Sequence, residues 1–440
     1  MSDTSEVRFQ KSVFNGTVWI VGLGFFIDAF DLFLYNALRV VSLRDLGLQA
    51  DAVTRMGLLI LNAQVAGVAL GGLVWGVLGD KIGRKRALVG SILLYALGSF
   101  GCAFVQDVWS YGALRLLTGV GLAGEIGLGA TLILETLPRE KRVWGILIFV
   151  DLAFLGVMAA MFVADHMSWR WAYGLGGGVG LLLLLGRVAL CESGLFAKME
   201  LADVPRGSLR LLMANPSLQK RLFWCILLFM PYYCAANLLV TLAPEVAKAV
   251  GVVGEVKAST ALLAWSLGAL VASPATVFLT KWLQRRVPVI VLLMTVGLTV
   301  TAVYLLQNHP SAVSFYTLCA LVGASNFYII LAVVTPEQFG TNMRATMTSL
   351  AMNIGRATLI ITNSLFLLFK SHDLGILAST GLTAVIVFAI GYLGAWGVRE
   401  TYAHDLDFLE TRSSKGSGPE PDWAVTGPTS PVALEPSADA

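Results

Sequence analysis

The chain has 440 residues, of which 56% are hydrophobic and 13% charged, and its mean hydropathy is +0.75. A soluble protein of this length cannot bury so much apolar surface, so lipid is expected to be the solvent for most of it. The formal net charge of +3 gives no indication of a nucleic-acid partner. Neither a nucleophile–base pair nor a metal-ligand spacing occurs in the apolar stretches, so an enzyme, a metal site and a cofactor are not expected.

Apolar stretches of about 20 residues, the length that crosses a bilayer as a helix, recur along the chain. Helices satisfy their own backbone hydrogen bonds in hydrocarbon, and no alternation typical of a β-barrel is present. The sequence therefore predicts an all-α membrane protein with twelve transmembrane helices, named here spans 1 to 12. The predicted spans are 16–38, 55–78, 87–106, 109–133, 143–165, 172–191, 221–243, 257–280, 287–306, 312–334, 345–369 and 375–398.

The segments outside the spans predict the orientation. Residues 1–15 are polar and lack a small-residue cleavage site, so they are expected to remain as a cytoplasmic N-terminus. The bias of Lys and Arg among the loops places both termini in the cytoplasm. The polar segment 195–220 is expected to link the six-helix bundles 16–194 and 221–400. Residues 401–440 have little apolar content and are expected to form a disordered cytoplasmic tail.

The two bundles show a common pattern. Two segments that each place Glu seven residues before Arg lie 202 positions apart, and the same offset relates two further pairs of polar residues. Such an offset is the sequence trace of a transporter repeat and predicts two pseudo-symmetric halves. The related positions are Glu135 and Glu337, Arg142 and Arg344, Arg84 and Arg286, and Asp151 and Asn353.

A charged island separates spans 2 and 3, with the pattern G-x-x-x-D-K-x-G-R-K over residues 76–85. This pattern resembles the loop between helices 2 and 3 of the major facilitator superfamily. The resemblance implies the fold of that family and a cytoplasmic gate. Trp282 stands at the position related to Asp80, so the acidic latch is expected to be lost in the second half. The expected gating residues are Asp80 with Arg84, Glu135 with Arg142, and their counterparts Glu337 and Arg344.

Few ionisable residues fall well within the spans, where each costs at least about 2.5 kcal/mol to insert. Asp28 and Asp31 share a helix face with Tyr35, and two nearby carboxylates in a low dielectric favour proton binding by one of them. The alternative is that one carboxylate pairs with Arg115 or caps a kink.

The remaining charges leave alternatives open. Glu125 is expected to bind substrate or a proton, or else to form a structural ion pair. Asp151 is interpreted as a cavity carboxylate or as a partner of a helix terminus. Arg356 has no acidic partner in its own half, so it is expected to recognise an anionic substrate or to form a salt bridge across the halves.

Pro231 is expected to interrupt span 7 and to expose polar side chains to the cavity. Tyr232, Tyr233 and Asn237 follow it, and Asn326 in span 10 has the same status. Asn353 in span 11 is the repeat counterpart of Asp151. Together with Tyr35 and Arg356, these are the candidate substrate-binding residues. Helix packing is the alternative for the aromatic ones.

Two further segments resemble the metabolite and phosphate:proton symporter branch of the superfamily. They are residues 24–33, with the pattern D-x-x-D, and residues 121–125, which end in Glu125. In addition, the pattern R-x-x-x-G-x-G-x-x-G over residues 115–124 resembles the helix 4 motif of the superfamily, whose arginine is linked to proton movement. Unlike the phosphate symporters, the chain has no carboxylate in span 7. The Q-Q-x-S-G-x-N signature of sugar porters is also absent, which weighs against hexoses.

The expected function is proton-coupled symport of a small organic or inorganic anion by alternating access, by a monomer in a bacterial inner membrane. The proton gradient would be the energy source. The candidate proton-coupling residues are Asp28, Asp31, Glu125, Arg115 and Asp151. Two alternatives remain: a proton-driven exporter of a metabolite or drug, and a transporter-like nutrient sensor without net flux.

Overall fold

The computed structural model describes residues 12–188, 192–196, 205–372, 374–402 and 406–410. Those residues form helices almost throughout, and their β-structure is limited to an isolated bridge between Val253 and Ser311. Ten helical segments are long and apolar enough to cross a membrane. Two further helices, Arg84–Cys102 and Trp169–Val188, complete the twelve spans. The predicted all-α fold is confirmed.

The first half contains six unbroken helices, several of which extend beyond their predicted ends. They are span 1 (Gly16–Asp45), span 2 (Ala50–Ile82), span 3 (Arg84–Cys102), span 4 (Val108–Thr136), span 5 (Arg139–His166) and span 6 (Trp169–Val188). Gly83, with φ of +103°, makes the turn between spans 2 and 3. A side chain at this position would be strained and would also collide with the Glu192 carboxylate.

The second half contains six spans, three of which are interrupted. A short helix, Leu209–Ala214, precedes it. The spans are span 7 (Pro216–Cys234, a π-helical segment Ala235–Thr241, and Ala243–Val250), span 8 (Ala258–Leu283), span 9 (Val287–Leu305), span 10 (Ala312–Ala324 and Tyr328–Glu337), span 11 (Arg344–Ala357 and Leu359–Ser371) and span 12 (Ile376–Gly397).

The interruption of span 7 differs from the expectation. The helix continues through Pro231 and widens into the π-helical segment one turn later. Pro231 packs against Gly391 of span 12, where a side chain would collide with the proline ring. A neighbouring helix therefore supports the backbone that the proline weakens, as is common inside membranes.

The halves meet along two related interfaces. Span 2 packs against span 11, and span 5 packs against span 8. Gly72 lies against Asn353 in the first interface. In the second, Asp151 contacts Ser273, the residue before Pro274. The offset of 202 therefore relates Gly72 to Pro274 and Asp151 to Asn353 in space as well as in sequence.

Candidate functional site

A salt bridge joins the two halves near the middle of the bundle. Arg356 Nη2 of span 11 donates to Asp28 Oδ2 of span 1 at 3.1 Å, and both side chains are buried. Arg356 Nε and Nη1 and Asp28 Oδ1 are buried without a hydrogen-bond partner in the described part of the chain. Of the two alternatives for Arg356, the cross-half bridge is present, and it leaves part of the guanidinium free.

Aromatic side chains surround this bridge. Tyr328 of span 10 lies between Phe25 of span 1, at 6.5 Å between ring centroids, and Tyr232 of span 7, at 4.7 Å. The phenol rings of Tyr233 and Tyr328 interact electrostatically with Arg356. Their hydroxyl groups are buried without a hydrogen-bond partner among the described residues. The predicted pair Tyr232 and Tyr233 thus lies beside the predicted cation, and both halves contribute to the lining.

Asp31 and Arg115 form a second buried pair, within the first half. Arg115 Nη1 donates to Asp31 Oδ2 at 2.8 Å, and the Ser99 hydroxyl donates to Asp31 Oδ1. The guanidinium also lies 4.6 Å from the centroid of the Tyr173 ring and donates to the thiol of Cys102. This arrangement matches the alternative in which one of the two carboxylates pairs with Arg115.

Glu125 forms a buried ion pair with Arg187 of span 6, a residue that the sequence reasoning did not select. Arg187 Nη1 donates to Glu125 Oε1 at 2.9 Å, and Nη2 bonds Oε2. The pair lies against Gly24 of span 1, where any side chain would collide with it. Arg187 ends the apolar run 181–186, and a lone arginine after such a run was the available signal.

The other candidate substrate residues divide into two groups. Tyr35 is fully buried and donates to the Gly57 carbonyl at 2.8 Å, so it fixes span 1 to span 2. Asn353 donates to the carbonyls of Ala123 and Ser349, so it fixes span 11 to span 4. Both were expected at the cavity, and their hydrogen bonds place them in helix packing instead.

The last two candidates lie at breaks in the helices. Asn326 Oδ1 accepts from the Tyr328 amide at 2.9 Å and caps the second segment of span 10. Its Nδ2 is buried without a partner in the described part of the chain. Asn237 belongs to the π-helical segment of span 7, and its side chain lies outside the described residues.

The predicted gate lies at the end of the bundle where spans 2, 4 and 11 meet, named here the gate end. Asp80 accepts from the backbone amides of Ala345 and Thr346, the latter at 2.8 Å, and from the Thr346 hydroxyl. It therefore caps the first turn of span 11 from the opposite half. Asp80 also pairs with Arg84 at 3.3 Å, as predicted.

Glu135 has different partners from the one expected. It pairs with Arg84 at 3.1 Å and, across the halves, with Arg344 at 2.8 Å. Arg142 donates its Nε to the Leu134 carbonyl. The predicted pairing of Glu135 with Arg142 is therefore corrected, because the closed gate brings Arg344 of span 11 onto the same carboxylate.

The second half repeats part of this network. Arg286 forms an ion pair with Glu337, as Arg84 does with Glu135. Arg344, expected at the gate together with Glu337, binds Glu135 and backbone carbonyls through its guanidinium. Trp282 is 79% exposed and makes no latch comparable to that of Asp80 among the described residues, in agreement with the expected loss.

Carboxylates outside the spans cap the same helices. Glu192 accepts from the backbone amides of Arg84 and Lys85 at the start of span 3. Glu400 accepts from those of Arg286 and Val287 at the start of span 9. Burial raises the pKa of Glu192, while its N–H donors and Arg84 oppose this rise. The gate ends of the two halves are thus built alike.

Residues 406–410 correct the expectation of a disordered segment from residue 401. Leu406 and Phe408 accept hydrogen bonds from Thr341. Glu410 forms an ion pair with Arg221 at 2.9 Å and accepts from the Gly340 amide. This segment, named here the C-terminal strap, holds the loop between spans 10 and 11. The rest of the expected tail, residues 411–440, lies outside the described residues, as do parts of the expected N-terminus and linker.

Comparison with known proteins agrees with this architecture. The family model of the Major Facilitator Superfamily matches residues 21–363. The chain is 24% identical to a gentisate transporter of Corynebacterium glutamicum, covering 87% of this chain and 88% of that protein. It is 26% identical to a probable 4-methylmuconolactone transporter of Cupriavidus pinatubonensis, covering 78% and 80%.

A solved structure shows the same fold. The proton:xylose symporter XylE superposes with a TM-score of 0.70 at 17% identity, covering 89% of this chain and 97% of that chain. The family match, the twelve spans and the cross-half gate together identify the protein. The chain belongs to the major facilitator superfamily and is a multi-pass membrane transporter of small molecules, not an enzyme.

Proposed function

We propose that the protein is a proton-coupled symporter that takes up an aromatic or similarly flat monocarboxylate. The observation that carries this proposal is the Arg356–Asp28 bridge, whose guanidinium keeps two nitrogens, Nε and Nη1, without hydrogen-bond partners among the described residues and beside aromatic rings. Both termini would lie in the cytoplasm of a bacterial cell, and the monomer would be sufficient for transport.

The charge and shape of Arg356 favour a carboxylate as its ligand. A guanidinium presents five donors in a planar fork that matches carboxylate oxygens, and here Asp28 occupies only part of that fork. A buried cation with unused donors costs free energy unless an anion or a polar ligand satisfies them. A substrate carboxylate supplies both the charge and the acceptors.

The neighbouring rings favour a flat apolar body on that substrate. Tyr232, Tyr328 and Phe25 come from three different spans and present ring faces and edges near the bridge. Offset or edge-to-face contacts with an aromatic ring contribute about 0.5–1.5 kcal/mol each beyond area burial. Gentisate and 4-methylmuconolactone, named for two relatives, are flat rings that carry a carboxylate, which supports this substrate class.

Proton coupling follows from charge balance at the bridge. When a substrate carboxylate takes over Arg356, Asp28 is left buried without its cation, which is unfavourable unless it binds a proton. Substrate and proton therefore favour each other's binding. Asp31 and Glu125 keep their own arginines, Arg115 and Arg187, and would fix the positions of spans 1, 4 and 6 around the site.

The gate supplies the alternating access. Asp80, Arg84, Glu135 and Arg344 close the gate end across the two halves. Several charge-assisted contacts of this kind shift a conformational equilibrium by a few kcal/mol, the scale that separates the two states of a transporter. Release of substrate into the cytoplasm would require these contacts to break.

Uptake into proteoliposomes that contain the reconstituted protein tests the proposal. Radiolabelled gentisate and benzoate are the probes, and benzamide is the uncharged analogue. We expect an inward proton gradient to drive uptake of the acids and not of benzamide. Arg356→Lys should weaken binding at least about 30-fold, because lysine keeps the charge but lacks the planar fork, and losing a buried charge-assisted hydrogen bond costs about 2 kcal/mol or more. Arg285→Lys, on the exposed gate end, is the matched control.

Asp28→Asn separates binding from coupling. The neutral side chain mimics protonated Asp28, so the variant should still exchange bound acid across the membrane but should lose acceleration by the proton gradient. Uptake without proton movement would refute coupling, and unchanged affinity in Arg356→Lys would refute recognition of the carboxylate by the guanidinium fork. Gradient-driven efflux would indicate an exporter, and binding without any flux would indicate a sensor.

A further inference from the structure

Asp151 of span 5 differs from the other carboxylates inside the spans. Asp28, Asp31 and Glu125 each bond an arginine, whereas Asp151 contacts Ser273 of span 8. Its Oδ1 is buried without a hydrogen-bond partner in the described part of the chain. An intramembrane carboxylate without a cation is costly when charged, so its neutral form is favoured.

Two aromatic contacts enclose Asp151 along the interface of spans 5 and 8. Trp144 packs edge-on against Phe278 at 5.4 Å on the side of the gate end, and Phe154 packs against Trp265 at 5.2 Å on the other side. Asp151 therefore lies in an apolar seam between the halves. At 1.5 Å per residue, it is about 18 Å from the start of span 5 at the gate end.

The hydrogen bonds of Ser273 also favour a protonated Asp151. A serine hydroxyl carries one proton, and Ser273 Oγ donates it to the Ala269 carbonyl at 2.7 Å. The serine oxygen can then act only as an acceptor towards Asp151. A carboxylate has no proton to donate, so this contact is a hydrogen bond when Asp151 is a carboxylic acid.

Charged groups on the elements packed against span 5 have other partners. On span 8, Lys281 lies over the Trp144 ring at 5.1 Å. On span 1, Asp28 pairs with Arg356 and Asp31 pairs with Arg115. On span 4, Glu135 pairs with Arg84 and Arg344. Arg187 of span 6 pairs with Glu125, and Glu337 of span 10 pairs with Arg286. None of these groups forms an ion pair with Asp151 in the described part of the chain.

The related position in the other interface carries an amide. Asn353 faces span 2 as Asp151 faces span 8, and its side chain is neutral at every pH. The two interfaces therefore differ in that one of them contains a group that can gain or lose a proton. Separation of spans 5 and 8 at the gate end would admit water to that group and favour its charged form.

We propose that Asp151 is a second proton-binding site, occupied while spans 5 and 8 are packed together and emptied when they separate at the gate end. Of the proposed function, this role of Asp151 requires only alternating access. Because Asp151 would gain and lose its proton on the same side of the membrane, it does not change the number of protons transported with each substrate. It makes closure of the gate dependent on the pH at that side.

Hydrogen–deuterium exchange of substrate-free protein in nanodiscs tests this proposal, read on the gate-end peptides of spans 5 and 8. One proton bound in the closed state alone changes the closed-to-open ratio by up to about tenfold per pH unit. We expect the wild-type protection factor, in which the intrinsic pH dependence of amide exchange is divided out, to fall as the pH rises, and that of Asp151→Asn to stay high at all pH values. Asp165→Asn, an exposed carboxylate of the same span, is the matched control and should behave like the wild type.

Two further measurements keep the test decisive. The infrared C=O band of a protonated carboxyl should be present in the wild type at acidic pH and reduced in Asp151→Asn. Ser273→Ala keeps the carboxyl but removes its acceptor, so opening should begin at lower pH. Wild-type pH dependence in Asp151→Asn, or an unchanged profile in Ser273→Ala, would overturn the proposal. Neither the exchange nor the infrared measurement uses substrate. If the protein proved not to transport carboxylates, both measurements would therefore still test the role of Asp151.

Discussion

The interface of spans 2 and 11 and that of spans 5 and 8 occupy related positions, yet they are held together differently. Glycines bring span 2 onto the backbone of span 11, and a Cβ at Gly76 would lie 2.8 Å from Thr346 Cα. Asp80 adds a charged cap across that seam. The other seam has aromatic pairs, Asp151 with Ser273, and an exposed Trp282 in place of the latch. The repeat thus preserves the geometry, while a charged cap holds one interface and the other contains a titratable carboxylate.

The largest effect is expected from breaking the interface of spans 2 and 11. Gly76→Val places a branched side chain against the backbone of span 11, and overpacking of this kind costs about 1–3 kcal/mol. The gate should then fail to close, and uptake should fall to background. Phe278→Val changes the related position in span 8 and should retain most of the uptake. Equal losses in the two variants would show that the interfaces are equivalent.

A smaller effect is expected from exchanging the chemistry of the two seams. Asn353→Asp removes the amide that donates to Ala123 and Ser349, leaving two buried carbonyls without that donor at neutral pH. Uptake should fall about tenfold at neutral pH and recover partly at acidic pH, where the acid donates one bond again. A pH-independent loss would show that the position does not titrate, and Asn353→Ser would give the loss due to the missing amide alone.

A smaller effect again is expected from removing the charge of Asp80, which should weaken closure of the gate. Asp80→Asn keeps one acceptor oxygen for the amides of Ala345 and Thr346 but loses the ion pair with Arg84. A charge-assisted bond is about twice as strong as a neutral one, so we expect a loss of about 1 kcal/mol, or roughly fivefold in the closed-to-open ratio. Distances between spin labels on the gate ends of the halves measure this ratio. Asp80→Asn with wild-type distances would rule out a latch.

The smallest effect is expected from adding the missing latch. Trp282→Asp restores the acidic residue that the repeat predicts, opposite the start of span 5. An exposed charge at a helix N-terminus contributes about 0.3–1 kcal/mol, so closure should improve about twofold in the same spin-label experiment. Trp282→Asn is the neutral control and should give less than half of that gain. An equal gain from the two variants would assign the effect to loss of the tryptophan.

Much of the fold could be predicted from the sequence, because membrane spans and the gate motif depend on local composition. Asp80, Arg84 and the offset of 202 were enough to place the gate and to relate the halves. A salt bridge from Arg356 across the halves was one of two stated alternatives, since an isolated buried cation must find an anion, and Asp28 is its partner. These inferences rest on charges whose cost in lipid is independent of the tertiary structure.

The rest depended on contacts between distant residues. Arg187 lies near the end of its predicted span. The apolar run before it marks this arginine, but its pairing with Glu125 of span 4 depends on how span 6 packs in the first half. Tyr35 shares a face with Asp28 and Asp31, yet its hydroxyl reaches the Gly57 carbonyl, a contact set by the packing of span 2. Leu406 and Glu410 sit in a polar stretch, and their order comes from hydrogen bonds to the loop between spans 10 and 11.

That last contact has a practical consequence for anyone who expresses the protein. An affinity tag or fluorescent reporter that replaces residues from 406 onwards would delete the counter-ion of Arg221 and the acceptors of Thr341, and so would loosen the entrance it was meant only to label. A fusion made beyond Glu410 leaves those bonds in place. Vector design alone can therefore change the apparent activity of this carrier.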